Sequence, residues 1–209
     1  MEDYLDDKEQ WERVLAWLRE QGPWVLAGVG LALAIFGGWR YWQGRVQQRD
    51  LAASGRYELV IDAFGRNDVD GGVRLADGVV KAFPGTGYAD QANLAAARVE
   101  VEIKELDKAA VRLQQVLSDT KDPELALIAR LRLGRVQLAQ GKADEALKTI
   151  GGATAGAFAA RYAEVRGDAL QAKGDRDGAL KAYRDARDHA DSTLDTNLLD
   201  LKIGELSRS

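Results

Sequence analysis

The hydrophobic positions of this chain follow two different patterns. Residues 21–39 form an uncharged and mostly apolar run, whereas the later chain spaces its apolar residues at the three- and four-residue intervals of amphipathic helices. A sustained period-two alternation of β-branched residues, which would indicate strands, is missing from the sequence. The pattern therefore predicts an all-α protein with one apolar helix ahead of a helical domain.

The apolar run has the length and the flanks of a membrane span. A helix over residues 23–42 would be about 30 Å long, which is the thickness of a bilayer's hydrocarbon core. Aromatic side chains stand at both of its ends, where such rings settle at membrane–water interfaces: Trp24, Trp39, Tyr41 and Trp42. The alternative is a buried core helix, because the apolar part is short and holds four glycines. Glycine is common in membrane helices, so we predict a single span.

The segment ahead of the span, residues 1–22, is not a cleavable signal peptide. Its start is acidic, and no small-residue cleavage site follows the apolar run, so the span is predicted to remain as an anchor. Four apolar residues lie on one face of a short helix here: Trp11, Val14, Leu15 and Leu18. This helix either packs on its own domain or lies on the membrane surface. Gly22 and Pro23 are predicted to break or bend the chain before the span.

The orientation of the span does not follow from charge. Three basic residues precede it (Lys8, Arg13 and Arg19), and four follow it (Arg40, Arg45, Arg49 and Arg56). The positive-inside count therefore favours neither side.

Beyond the span the sequence repeats itself. Residues 94–109, 131–146 and 164–179 align at offsets of 37 and 33 residues, and each carries two small residues twelve positions apart. The aligned positions are Ala97, Gly134 and Gly167, then Ala109, Ala146 and Ala179, then Leu113, Ile150 and Tyr183, and last Val116, Ala153 and Ala186. This order of small residue, alanine, large residue and alanine or valine is typical of the 34-residue tetratricopeptide repeat.

The repeat predicts an α-solenoid of about three to four helical hairpins over residues 43–209. Small residues let the two helices of a hairpin approach closely, and hairpins must stack because one alone cannot bury its apolar face. Residues 50–66 and 70–83 form a degenerate first repeat, with Ala76, Val80 and Phe83 in its core. A C-terminal helix is predicted to cap the last repeat with Leu194, Leu198, Leu199, Leu201, Ile203 and Leu206.

Turn and cap residues mark where helices end and begin. Gly141 and Gly174 are predicted to form tight turns between the two helices of a hairpin. Asp122 followed by Pro123 is predicted to open a helix, with a capping residue and then a proline in the first turn.

Composition excludes several functions. The 209 residues carry a net charge of −4, and that excess lies in residues 1–20, so the rest of the chain is neutral. A neutral domain does not attract a phosphate backbone, which argues against nucleic acid. The chain has no cysteine and one histidine, His189, so thiolate chemistry and histidine-based metal sites are excluded.

No motif for catalysis or for a cofactor is recognisable. The glycine pairs at Gly28 and Gly30 and at Gly85 and Gly87 are too short and wrongly placed for phosphate loops. His189 is expected at a solvated helix end. We therefore predict no catalytic, cofactor or metal site, and a protein that is not an enzyme.

Two surfaces are candidates for binding other proteins. In the span, Gly30, Ala34 and Gly38 share one face and permit close packing against another membrane helix, although such residues also occur in ordinary spans. In the domain, the tetratricopeptide register places a mixed polar and apolar set on the concave face: Gln91, Arg98, Ile128, Arg135, Arg161, Glu164 and Asp168, with Leu94 and Leu131 more typical of stacking contacts.

Several stretches resemble one family along the whole chain and in the same order. The matching residues are 17–22 (WLREQG), the span with 38–42 (GWRYW), 107–110 (DKAA), 113–115 (LQQ), 131–137 (LRLGRVQ), 166–170 (RGDAL) and 201–203 (LKI). Together they resemble the YfgM-type proteins, ancillary subunits of the bacterial Sec translocon. The resemblance implies a cytoplasmic N-terminus, an inner-membrane span and a periplasmic tetratricopeptide-like domain.

The resemblance also implies a function and partners. The expected partners are the SecYEG translocon, a PpiD-type chaperone, translocating polypeptides and membrane lipid. The chain is then expected to act as a membrane-anchored adaptor that helps pass newly translocated proteins to periplasmic chaperones. The alternative is a tethered helical-repeat scaffold of another cell-envelope complex.

Overall fold

The computed structural model describes residues 7–151, 156–191 and 194–208, with the side chains of residues 7–10 and of Leu18 left aside. Within these ranges the regular elements are helices: α1 Asp7–Gly65, α2 Val69–Ala82, α3 Gly87–Glu102, α4 Leu106–Asp119, α5 Pro123–Ala139, α6 Ala143–Gly151, α7 Ala159–Ala172, α8 Arg176–Asp188 and α9 Thr196–Arg208, with a 3-10 turn at Gly156–Phe158. The predicted all-α class is confirmed. Ala153 and the side chain of Leu18, which belong to the patterns given under Sequence analysis, lie outside the residues that the structure describes.

The chain divides into two units, one that ends at Arg49 and one from Asp50 to Ser209. In the first unit, the apolar side chains of α1 are exposed, for example Trp24 at 77% and Leu31 at 64%. The most apolar 18-residue window of α1 has a mean hydropathy of 1.5, and none of it is buried inside the protein. The alternative of a buried core helix is therefore wrong for this chain, and α1 is long and apolar enough to cross a membrane.

Of the break or bend predicted at Gly22 and Pro23, the break is wrong. Helix α1 continues through Pro23 without interruption. A proline removes one backbone donor and crowds the preceding turn, but it does not force a helix to end when the residues on both sides favour the helix.

In the second unit, each helix packs against the next one along the chain, and four apolar clusters lie between the helices. Residues 50–65 of α1 pair with α2, and then come the pairs α3 with α4, α5 with α6, and α7 with α8. The clusters cross the hairpin boundaries, since the one around Leu113 takes residues from α3, α4 and α5. The predicted stack of three to four hairpins is confirmed as four.

The aligned small residues lie where two helices touch. Ala109, Ala146 and Ala179 are each 0% exposed. A Cβ added at Gly134 would lie 2.8 Å from Ile150 Cγ2, and one added at Gly167 would overlap the ring of Tyr183. The small residue at the first aligned position thus makes room for the large residue at the third.

The first hairpin reverses this arrangement. By register, Val60 stands where the later repeats have alanine or glycine, and Ala76 stands where they have Leu113, Ile150 and Tyr183. Both Val60 and Ala76 are fully buried in one cluster. In this hairpin the first helix carries the large residue and the second helix carries the small one, so the summed volume of the pair is conserved. This exchange explains why the sequence of the first repeat departs from the pattern of the others. The cluster also buries Val79, which the sequence analysis missed, while Val80 and Phe83 are partly buried against it.

The four turns inside the hairpins are built alike. Asn67, Lys104, Gly141 and Gly174 each adopt a positive φ, between 60° and 79°. The next residue in each turn donates its backbone N–H to the carbonyl five positions back, as in Glu105 to Glu100 at 2.7 Å and Asp175 to Leu170 at 2.9 Å. This is the Schellman arrangement that satisfies the last carbonyls of a helix. The predicted tight turns at Gly141 and Gly174 are confirmed.

Aspartate side chains cap the starts of α2, α5 and α8. Asp122 accepts hydrogen bonds from the backbone N–H groups of Glu124 at 2.8 Å and Leu125 at 3.2 Å, and Pro123 occupies the first turn of α5. Asp68 and Asp175 cap α2 and α8 in the same way. These bonds fix where each helix begins.

Helix α9 caps the last hairpin with only part of the predicted set of residues. Leu199 and Leu206 are buried against Tyr183 and its neighbours, and Ile203 is partly buried with them. Leu198 and Leu201 are 43% and 71% exposed. The prediction of a capping helix holds, but the inclusion of Leu198 and Leu201 in its buried face is wrong, because leucines on both sides of a helix conceal which stripe packs.

We expect Gly167→Ala to lower the free energy of unfolding by about 1–3 kcal/mol, because the new methyl group would overlap the Tyr183 ring. The matched control is Gly78→Ala in α2, where an added Cβ meets nothing within 4 Å. There the same change should stabilise by up to about 1 kcal/mol through helix propensity. Thermal unfolding of the full chain in non-ionic detergent measures both. Equal shifts for the two variants would contradict the assigned packing.

Candidate functional site

The predicted concave residues lie on α3, α5 and α7, and the structure brings four of them into two neighbouring groups. Arg98 and Arg135 line a groove between α3 and α5. Glu164 and Asp168 on α7 bind Lys202 from α9. Arg135 belongs to both groups, since its Nη2 lies 3.3 Å from Glu164 Oε2.

The other predicted residues lie elsewhere. Gln91 is exposed near the start of α3 and lines neither group. Ile128 is partly buried and packs against the apolar cluster of α3, α4 and α5, so it serves the stacking of hairpins. Arg161 is partly buried in the first turn of α7. Leu94 and Leu131 are buried, at 7% and 5% exposure, as expected for stacking contacts.

The groove between α3 and α5 has a volume of about 410 Å³. Its apolar lining comes from Ala97, Val101, Leu113, Val136 and Ala139, and its charged lining comes from Arg98, Glu102, Arg132 and Arg135. The size falls in the range of sites that accept small ligands or side chains of a partner. Arginines beside an apolar surface suit protein recognition, since arginine both stacks and donates several hydrogen bonds.

Arg132 was missed by the sequence analysis, which assigned only its neighbours. Partial burial lowers the pKa of Arg132, and the positive charges of Arg98 and Arg135 lower it further. Its Nη1 donates a hydrogen bond to the carbonyl of Leu94 at 3.3 Å. The two side-chain charges that act on Arg132 in this groove, those of Arg98 and Arg135, are therefore positive.

The second group is an ion network around Lys202. Its Nζ lies 2.6 Å from Asp168 Oδ1 and 3.2 Å from Glu164 Oε1, and it stands 5.2 Å above the Tyr183 ring. Lys202 lies on the packed side of α9, because it is next to Ile203 and three residues after Leu199. A lysine on the apolar face of a capping helix was the signal that could have identified it.

Tyr183 joins this network to the packing of α7 against α8. Its hydroxyl donates to Asp168 Oδ1 at 2.8 Å. Burial raises the pKa of Tyr183, and the hydrogen bond to Asp168 and the negative charges of Asp168, Glu164 and Glu205 raise it further. The phenol therefore stays protonated and acts as a donor throughout the physiological range.

In each hairpin the first helix is called A and the second is called B. A third polar group lies on the B-helix side of the second hairpin, which consists of α3 (A) and α4 (B). Arg112 Nε lies 2.7 Å from Glu100 Oε1, and Arg112 Nη1 lies 2.7 Å from Asp77 Oδ1. Burial lowers the pKa of Arg112, but its hydrogen bonds to Asp77 and Glu100 raise it more. These pairs tie α4 to α2 and α3, so their role is structural.

The described residues show no arrangement for metal chemistry. No group of three or more histidine, cysteine, aspartate or glutamate residues within residues 7–151, 156–191 and 194–208 could hold a metal ion. His189 is exposed at the end of α8, with Nδ1 2.9 Å from the carbonyl of Asp185. This agrees with the solvated helix end expected for it.

The small-residue face of the apolar part of α1 is open. An added Cβ at Gly30 or Gly38 would meet nothing within 4 Å, and Ala34 is exposed. The face is therefore accessible to a second helix.

Stability should depend on pH through Tyr183. Because the pKa of Tyr183 is raised in the folded protein, the unfolded chain releases this proton at lower pH than the folded chain. The free energy of unfolding should fall as pH rises above about 10, by up to about 1.4 kcal/mol per pH unit from this group. Tyr183→Phe removes that contribution, so the gap between parent and variant should narrow from pH 9 to pH 11 in urea unfolding. A constant gap would contradict the assignment.

Comparison with known proteins agrees with this architecture. A family model described as a tetratricopeptide repeat-like domain matches residues 15–208. Among solved structures, MamA from Desulfovibrio magneticus RS-1 (residues 41 to the end) has a TM-score of 0.61 over 74% of this chain and 83% of that one. At 15% sequence identity, this likeness shows the fold alone.

Sequence relatives cover the full length. A protein of Escherichia coli K12 named ancillary SecYEG translocon subunit is 34% identical over 207 residues, which is 99% of this chain and 100% of that protein. A protein of the same name from Haemophilus influenzae is 28% identical over 202 residues, 97% of this chain and 98% of that one. The chain therefore belongs to the YfgM-type family of tetratricopeptide-like proteins, the family of the ancillary SecYEG translocon subunits.

Proposed function

We propose that this protein is a single-pass adaptor of the inner membrane that works beside the Sec translocon. The observation that carries the proposal is the full-length match to proteins named ancillary SecYEG translocon subunits, a match that includes both the apolar helix and the repeat domain of this chain. An exposed apolar helix gives the chain an anchor, and a stack of hairpins gives it a broad surface for other proteins. A role in binding, without catalysis, fits both parts.

The proposed topology places residues 1–22 in the cytoplasm, residues 23–42 in the membrane and residues 43–209 in the periplasm. Charge on the two sides of the span does not decide the orientation, so the proposal follows the family relationship. A periplasmic domain beside the channel would meet polypeptides as they emerge. The proposed partners are SecYEG, a PpiD-type chaperone, the emerging polypeptides and the lipid around the span.

The proposed mechanism is passive. An anchor confines the domain to the membrane near the channel, which raises the effective concentration of its binding surface there. Weak contacts then suffice to hold a partner or a client briefly, and a chaperone on the same membrane can take over the client.

The topology can be tested with cysteine labelling, because the chain contains no cysteine and single variants have no background. Ser207→Cys in α9 is exposed and should react with a membrane-impermeant maleimide on intact spheroplasts. Gln10→Cys should react only after the membrane is opened. The reverse pattern would refute the proposed orientation, and release of the protein by alkaline carbonate would refute the span.

A second test separates the span from the domain as the part that recruits the translocon. Gly30→Leu with Gly38→Leu keeps the span apolar, so the double variant should insert normally. We expect it to co-purify with SecYEG as well as the parent does, because the domain offers far more contact area than one helix face. Loss of co-purification with intact insertion would show instead that the face of Gly30, Ala34 and Gly38 docks on a translocon helix, since leucine would hold the backbones apart.

A further inference from the structure

The groove between α3 and α5 is a concentration of positive charge in a domain that is otherwise neutral. Three guanidinium groups line it, from Arg98, Arg132 and Arg135, against the single carboxylate of Glu102. The chain outside residues 1–20 carries equal numbers of acidic and basic side chains. The groove is therefore distinguished from the average surface by both its charge and its shape.

The charged groups facing the groove do not neutralise it. Glu102 pairs with Arg98 at 3.6 Å, but both side chains are more than 60% exposed, so this pair is weak. Glu164 on α7 pairs with Arg135 at 3.3 Å and with Lys202 at 3.2 Å, so one carboxylate is shared between two cations. Arg132 donates to a backbone carbonyl. An anionic group entering the groove would meet donors of Arg98 and Arg135 that are accessible to solvent.

The floor of the groove adds an apolar requirement. Ala97, Leu113 and Val136 are buried, at 2%, 1% and 4% exposure, and Val101 is partly buried beside them. A volume of about 410 Å³ accommodates two or three side chains. A free phosphate would leave this floor unused, and a nucleic acid would need a longer basic track than a neutral domain offers.

We propose that the groove between α3 and α5 binds a peptide segment of a partner protein in which an apolar side chain is adjacent to a glutamate or aspartate. The apolar side chain fills the floor, and the carboxylate accepts hydrogen bonds from Arg98 and Arg135. Charge-assisted hydrogen bonds of this kind are stronger than neutral ones and give geometric selectivity. The inference rests on the proposed function, since it names the chemistry of the segments that such an adaptor would hold.

The experiment uses the full chain in phosphatidylcholine nanodiscs. The probe is a fluorescent eight-residue peptide with two leucines and two glutamates at its centre, and fluorescence anisotropy measures its binding at about 0.1 M salt. Two further peptides replace the glutamates by glutamines or the leucines by serines. We expect each replacement to weaken binding about tenfold, because each removes one of the two interactions.

Matched variants locate the site. Arg98→Gln with Arg135→Gln should weaken binding of the glutamate peptide about tenfold and leave the glutamine peptide unaffected. Arg74→Gln with Arg166→Gln removes the same charge from exposed positions outside the groove and should change nothing. Thermal unfolding of both double variants verifies that they are folded.

Three results would overturn the proposal. These are equal binding of the glutamate and glutamine peptides, equal binding of the peptides with leucines and with serines, and equal losses in the two double variants. Co-purification of the parent with SecYEG tests the proposed function separately. A chain that co-purifies but shows no peptide preference refutes the groove alone, and a chain that does not co-purify refutes the adaptor role.

Discussion

The close approach of the two helices within each hairpin is the constraint on which the repeat domain depends. In the last two hairpins it is achieved by a glycine on one helix opposite a large side chain on the other, Gly134 with Ile150 and Gly167 with Tyr183. Glycine costs helix propensity, yet it permits contact that burial of the large side chain stabilises. The first hairpin meets the same constraint with the sizes exchanged, Val60 and Ala76. The close approach of the helices therefore depends on the summed volume of the two facing side chains, whichever helix carries the larger one.

This packing also positions the polar surface. Tyr183 lies against Gly167, and its hydroxyl holds Asp168, which in turn binds Lys202 of the capping helix. The same side chain therefore fixes a hairpin, orients a carboxylate and supports α9. Arg135 connects this network to the groove between α3 and α5. These contacts make the candidate binding surface continuous with the packing of the last hairpin.

The A and B helices divide the polar chemistry between them. On the B-helix side, Arg112 is matched by Glu100 and Asp77, so its charge is used internally to hold three helices together. On the A-helix side, Arg98 and Arg132 stand over an apolar floor with fewer acids than guanidinium groups. Charge that is fully paired inside the fold contributes to structure, whereas the excess of positive over negative groups in the groove is available to a partner. This contrast is the physical basis for assigning recognition to the groove.

The sequence by itself determined the apolar helix, the hairpin stack, the turns at Gly141 and Gly174 and the cap at Asp122, because each depends on local periodicity or on backbone preferences of single residues. It also placed Arg98 and Arg135 on one surface through the repeat register. Only the tertiary structure decided which face of α9 is buried. It alone showed that Arg132 lines the groove and that Lys202 binds Glu164 and Asp168 beside it. These arrangements rest on contacts between residues 29 to 38 positions apart, which depend on how the hairpins stack. Periodicity specifies which side of a helix is apolar, but the partner of a charged side chain is decided by the neighbouring helix.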